Sequence, residues 1–128
     1  MKHKALPYSL KYALKGLHLA MCYEANFRIQ CLVTCFVIIA GFLCHLSIIE
    51  WCIILFCNAM VLCLELMNTS IEFLANYCKS NYDLNIKVVK DIAASSVLLM
   101  SIFSIVIGGL IFLPKCLVLF KSWKVILN

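Results

Sequence analysis

The chain has 128 residues, 65% of them hydrophobic and only 13% charged, with a formal net charge of +5 and a mean hydropathy of +1.03. A soluble domain usually carries about 25% charged residues, and a chain this short cannot bury so much apolar surface in its own core. That excludes an ordinary soluble domain. It leaves lipid as the solvent for the excess, with residues 1–128 as a single domain. The basic residues sit between and beside apolar runs, where they set topology and meet anionic headgroups; a nucleic-acid partner is not expected.

In chain order, the first 28 residues contain no continuous apolar core and no small-residue cleavage site, so a cleavable signal is not expected. Over about residues 8–27, Leu10, Leu14, Leu17 and Met21 recur at helical spacing, with Lys11 and Lys15 among polar or small neighbours. This predicts an amphipathic helix lying on the membrane surface. Glu24 falls near its end, four residues before Arg28.

A helix crossing a bilayer needs about 20 mainly apolar residues. Three segments qualify, at about residues 29–49, 51–77 and 92–113. A short turn near residues 45–50 joins the first two, and a polar loop, residues 78–90, joins the last two. Pro114 is expected to end the third helix, leaving residues 115–128 as a second, shorter interfacial segment. The nine cysteines include no Cys-x-x-Cys, and Cys31, Cys35, Cys44, Cys52, Cys57 and Cys63 lie in apolar runs. They read as small hydrophobes rather than as a disulfide framework or a zinc site.

Lys2, Lys4, Lys11, Lys15 and Arg28, with Lys79, Lys87 and Lys90 of the polar loop, share one side of a three-span chain, against Lys115, Lys121 and Lys124 on the other. This bias puts the N-terminal helix and the polar loop in the cytoplasm.

Ionisable residues inside a span are costly and point to function. The second span holds Glu65-Leu66-Met67-Asn68-Thr69-Ser70-Ile71-Glu72. Offsets of 0, 3 and 7 put Glu65, Asn68 and Glu72 on one helix face, and Asn76 continues the stripe. Glu24 and the pair Lys90-Asp91 bring further charges to the same boundary. Each also has a purely structural reading. Glu24 and Arg28 could pair at i,i+4, Asp91 could favour a helix start, and Asn68 could join helices. Together they suit phosphoryl transfer. Carboxylates hold magnesium, a further carboxylate accepts a hydroxyl proton, and a lysine meets phosphate. There is no G-x-x-x-x-G-K-[ST] motif, and the four glycines are Gly16, Gly41, Gly108 and Gly109.

At these residues the chain resembles the prokaryotic diacylglycerol kinases, a family of small integral membrane lipid kinases. The resemblance spans about residues 8–113. It rests on Lys11-Tyr12-Ala13-Leu14-Lys15-Gly16, Glu24-Ala25-Asn26-Phe27-Arg28, the 65–72 run and Lys90-Asp91-Ile92-Ala93-Ala94. It implies an all-α membrane protein with an N-terminal surface helix and three spans, assembled as a homotrimer in the bacterial inner membrane. It also implies ATP, Mg2+ and a membrane lipid as substrate. Glu65 would be the catalytic base, and Glu24 and Glu72 the metal ligands. Tyr12, Asn68, Lys90 and Asp91, with Asn81, Tyr82 and Asp83 of the loop, would meet the nucleotide. Lys15, Asn26 and Arg28 would order the site or the substrate.

Three departures from the family stand out. Asn76 replaces a usual aspartate, Ser95-Ser96 replaces a pair usually built from glycine or alanine, and no arginine stands near Ala5. The expected acceptor is diacylglycerol, giving phosphatidic acid, with undecaprenol as the alternative. The Glu24–Arg28 and Glu65–Thr69 stretches look somewhat closer to the undecaprenol branch. Two readings of other classes are a small proton-coupled transporter using Glu65 and Glu72, and a non-catalytic membrane subunit assembled through Asn68.

Overall fold

The computed structural model describes the backbone of residues 6–78 and 83–126, and the side chains of 8–78 and 83–118. The loop residues Asn81 and Tyr82, the N-terminal lysines and the position near Ala5 lie outside these ranges. Four helices follow one another: α1 (Leu6–Tyr23), α2 (Ala25–Leu43), α3 (Ile48–Cys78) and α4 (Leu84–Ile126). Among the described residues there is no strand. Stretches of α2, α3 and α4, at Ala25–Leu43, Ile48–Cys78 and Leu84–Val118, are long and apolar enough to cross a membrane. The all-α architecture of one N-terminal helix and three spans is as expected.

The helix ends differ from the sequence expectation, each for a local reason. α1 stops at Tyr23, not near 27, and Glu24 is the extended residue (φ −105°, ψ 112°) that starts α2. Arg28 spans this break. Its Nη1 donates to the carbonyls of Met21 (3.2 Å) and Cys22 (3.0 Å), satisfying orphan acceptors at the end of α1. The i,i+4 pairing considered for Glu24 and Arg28 is thus replaced by a helix cap.

α2 ends at Leu43 rather than 49, in a left-handed turn. His45 has φ 50°, its N–H reaches Phe42 O at 3.2 Å, and the Leu46 N–H reaches Gly41 O at 3.2 Å. This is the Schellman arrangement. Ser47 then opens α3 three residues before the expected start. Its N–H donates to Glu50 Oε2 at 2.7 Å, and the Glu50 N–H reaches Ser47 Oγ at 3.4 Å, a reciprocal capping box.

At Gly41 the Trp51 side chain of α3 packs directly on the backbone of α2. A Cβ there would stand 2.6 Å from Trp51 Cη2 and 3.1 Å from Leu46 Cδ1. Indole is rigid, so Gly41→Ala is expected to cost about 1–3 kcal/mol by overpacking, read as a lower denaturation midpoint in detergent.

α4 starts at Leu84 because Asp83 caps it, its Oδ1 accepting the Asn85 N–H at 2.8 Å. Residues 84–90 are therefore helical rather than loop. Asp83→Ala is expected to destabilise the protein by about 1 kcal/mol, again measurable by denaturation. At the other end α4 runs through Pro114 to Ile126, so neither the expected stop nor a separate interfacial tail forms. In lipid an interrupted helix would leave backbone groups without water, and continuing past proline is the cheaper outcome.

α3 is the central helix, with α4 packed along it most extensively and α2 and α1 also against it. The buried apolar residues are few, among them Phe27, Ile54, Cys57, Val61, Ala93 and Val97. Large apolar side chains such as Phe36, Phe42, Phe56, Ile105 and Leu110 face outward. That pattern suits lipid or further protein, not water. α3 has 31 residues against 19 in α2. At about 1.5 Å per residue it is longer than a bilayer core is thick.

Candidate active site

The polar stripe of α3 turns inward. Glu65 is 3% exposed, and Asn68 and Thr69 are also buried. Offsets of three and four residues place all of them toward the same side of the helix. Asn68 Oδ1 and Thr69 Oγ1 have no hydrogen-bond partner. Buried polar atoms are normally satisfied, so Asn68 Oδ1, at the wall of the cavity that Glu65 lines, is where a bound group would supply a missing contact. Glu65 and Asn68 open on a cavity of about 350 Å³ whose other walls are Asn26, Ile29 and Gln30 of α2 and Ala94, Val97, Leu98 and Ser101 of α4.

Glu24 stands at the start of α2, and Glu72 lies on α3 seven residues after Glu65. Glu24 is delivered by the α1–α2 break, and its carboxylate makes no capping hydrogen bond. It also sits at the N-terminus of α2, where the helix dipole favours a negative charge. Glu72 is half-buried two turns beyond Glu65. Among the described residues no group of three or more His, Cys, Asp or Glu forms a metal cage. The donor set nevertheless fits a hard cation of the magnesium type. Such an ion takes oxygen ligands, needs only one or two protein carboxylates, and completes its shell with water and substrate phosphate.

Lys90 reaches across from α4 to α3, its Nζ donating to Asn76 Oδ1 at 3.3 Å. The neutral amide at 76 holds the ammonium in place without neutralising it, as an aspartate would. Asp91 beside it is exposed, as are Tyr12 and Lys15 on α1. Asp83 caps α4, and Arg28 closes α1. The hydroxyls of Ser95 and Ser96 donate to the carbonyls of Ile92 and Ala93, both at 2.7 Å. This satisfies them within α4, where the family has small apolar residues.

Two cavity residues escape a reading of the α3 stripe alone. Gln30 is four residues after Asn26 on the same face of α2, a polar pair at helical spacing that signals a shared surface. Ser101 lies in an apolar run of α4, and only packing brings it to the cavity. A second cavity, of about 690 Å³, separates α1 from α3. It is lined mainly by apolar groups, including Leu14, Leu17, Ala20 and Phe73, and Thr69 joins its wall.

The fold is that of an integral membrane helical bundle in which carboxylates and amides gather along one stretch of α3. Residues 11–112 match the family model described as prokaryotic diacylglycerol kinase. An undecaprenol kinase of Bacillus subtilis is 39% identical over 107 residues, covering 84% of this chain and 87% of that protein. A diacylglycerol kinase of Synechocystis is 35% identical over 110 residues, 85% of this chain and 63% of that one. A diacylglycerol kinase of Haemophilus influenzae is 30% identical over 105 residues, 81% and 89% of the two chains.

The chain belongs to the prokaryotic diacylglycerol kinase family. It is a lipid kinase, a phosphotransferase that takes its phosphate from ATP and acts on a membrane lipid. The transporter alternative finds no support in these similarities.

Proposed function

We propose that this kinase transfers the γ-phosphate of ATP to the primary hydroxyl of a polyprenol of the undecaprenol class. It acts at the cytoplasmic face of a bacterial inner membrane, with Mg2+, as a homotrimer. The observation that carries the reaction is the burial of Glu65 beside the unpartnered Asn68 Oδ1, in a cavity bounded by α2 and α4. Glu65 takes the proton of the lipid hydroxyl as that oxygen bonds to the γ-phosphorus, and the bond from the γ-phosphorus to the β–γ bridging oxygen breaks to release ADP. Glu24 and Glu72 would hold the magnesium, whose charge offsets that of the phosphates. Lys90, poised by Asn76, would meet a phosphate oxygen, and Asn68 and Asp91 would orient the nucleotide. Tyr12, Lys15 and Asn26 would close the site from α1 and α2, with Asn81, Tyr82 and Asp83 nearer the nucleotide.

The apolar cavity between α1 and α3 suits a hydrocarbon chain, and its wall includes Thr69, next in sequence to Asn68 of the Glu65 cavity. The extent of similarity to an undecaprenol kinase, 87% of that protein at 39% identity, favours a polyprenol. Diacylglycerol is the second reading, and a different feature favours it. Its ester carbonyls need donors, and the amides of Asn26 and Gln30 line the cavity.

Purified protein in mixed micelles with ATP and magnesium is to be assayed on both lipids side by side. A preference of about tenfold or more for undecaprenol supports the polyprenol assignment, and the reverse preference replaces it with diacylglycerol. No turnover on either lipid by folded protein would overturn both. Chelation of magnesium with EDTA is expected to stop the reaction, and re-addition to restore it.

A further inference from the structure

At the end of the bundle opposite Glu24 and Glu72, a second group of polar contacts ties α4 to the α2–α3 turn. Lys115 Nζ lies 3.0 Å from Glu50 Oε2 and donates to His45 O at 3.3 Å. Beside this junction the Sγ atoms of Cys44 and Cys116 stand 4.0 Å apart, separated by 72 positions in the chain. Both are free thiols, Cys116 exposed and Cys44 half-buried. That Sγ–Sγ gap of 4.0 Å is about twice a disulfide bond length, so bond formation requires the two side chains to turn toward each other. The Lys115 contacts hold the two backbones in register while that happens. The junction also explains why α4 continues past Pro114, since the residues just beyond the proline are the ones that grip the turn.

We propose that Cys44 and Cys116 are an oxidisable pair that forms an intramolecular disulfide, clamping α4 to the α2–α3 turn on the membrane face away from the kinase site. In the step, the thiolate of one cysteine attacks the disulfide of an extracytoplasmic thiol–disulfide exchange protein, giving a mixed disulfide. The second thiolate then displaces the exchange protein's sulfur. Two S–H bonds are lost and one S–S bond forms. The two electrons, and by way of solvent the two protons, pass to the exchange protein, whose disulfide becomes a dithiol. Disulfides persist outside the cytoplasm, so the supply of this oxidant rests on the orientation proposed above. The pair does not touch Glu24, Glu65 or Glu72, so its chemistry is separable from the lipid kinase reading.

Membranes carrying the full chain are to be alkylated at harvest, digested under non-reducing conditions and analysed by mass spectrometry. The expected result is a peptide linked through Cys44 and Cys116, about 2 Da lighter than the sum of its two reduced parts, and abolished by dithiothreitol or by Cys116→Ser. Oxidised glutathione, added to reduced protein in detergent, is expected to lower the count of free thiols from nine by two in the wild type. It should do the same in a Cys31→Ser/Cys35→Ser control, and not in Cys44→Ser. In intact cells under reductant, a membrane-impermeant maleimide should label Cys116.

Linkage missing from both membranes and oxidised detergent samples would overturn the proposal, as would Cys116 joined only to Cys116 of another copy. Labelling of Cys116 only after the membrane is opened would also overturn it, because the oxidant would be on the wrong side. Cys44→Ser is expected to retain lipid phosphorylation, so loss of the disulfide and failure of the kinase assignment give different results.

Discussion

Glu65→Gln is expected to lower turnover by about 10²- to 10⁴-fold, the usual contribution of a positioned general base, without destabilising the fold. Glutamine matches the carboxylate in size and retains hydrogen-bonding capacity, so the buried position, 3% exposed, keeps its packing against α2 and α4. Glutamine also cannot ionise, so it never brings an uncompensated charge into the buried position, and such a charge costs stability. Activity should therefore collapse while the denaturation midpoint holds or rises. A scaffold role for Glu65 predicts the opposite pairing, with stability lost and turnover per folded molecule kept. Measuring both on one preparation, with ATP and the preferred lipid saturating, separates the two. The non-catalytic subunit reading fails on the first outcome and survives on the second.

Glu24→Gln and Glu72→Gln, made singly, are expected to raise the magnesium concentration for half-maximal activity by about 10- to 100-fold. That is the scale seen when groups supporting a metal site are lost. The two carboxylates come from different elements, one from the extended residue between α1 and α2 and one from α3. Glu24 makes no cap bond, so Glu24→Gln removes a charge without breaking a helix cap. If both hold one ion, the double variant should lose much less than the product of the single effects, since groups acting as a unit are not additive. A magnesium titration of all three variants checks this. Unchanged magnesium dependence with lower turnover would move Glu24 and Glu72 from metal binding to positioning.

The helix termini show why sequence reading succeeds in some places and stops in others. Ser47-Ile48-Ile49-Glu50 is a capping box written in the chain, and Asp83 is an equally local signal. Both were within reach of pattern reading and set α3 and α4 starting earlier than hydropathy alone suggests. The end of α1 is different in kind. It depends on Arg28 folding back six and seven residues to two carbonyls, which no period or propensity encodes. Pro114 marks a helix end for a chain in water. Here it does not, because lipid gives an interrupted helix nothing to bond to, and Lys115 anchors the segment beyond it.

The sequence by itself determined the membrane class, the four-helix order, the face shared by Glu65, Asn68 and Glu72, and the family. These are properties of composition and of the 3.6-residue period, and a stretch of chain carries them without reference to its neighbours. Only the tertiary structure decided that Glu24 stands in a break rather than on a surface helix, that Gln30 and Ser101 wall the Glu65 cavity, and that Gly41 makes room for Trp51. It also brought Cys44 to Cys116. These are contacts between segments distant in sequence or across a turn, and they follow from how side chains of particular shape fill the space between helices.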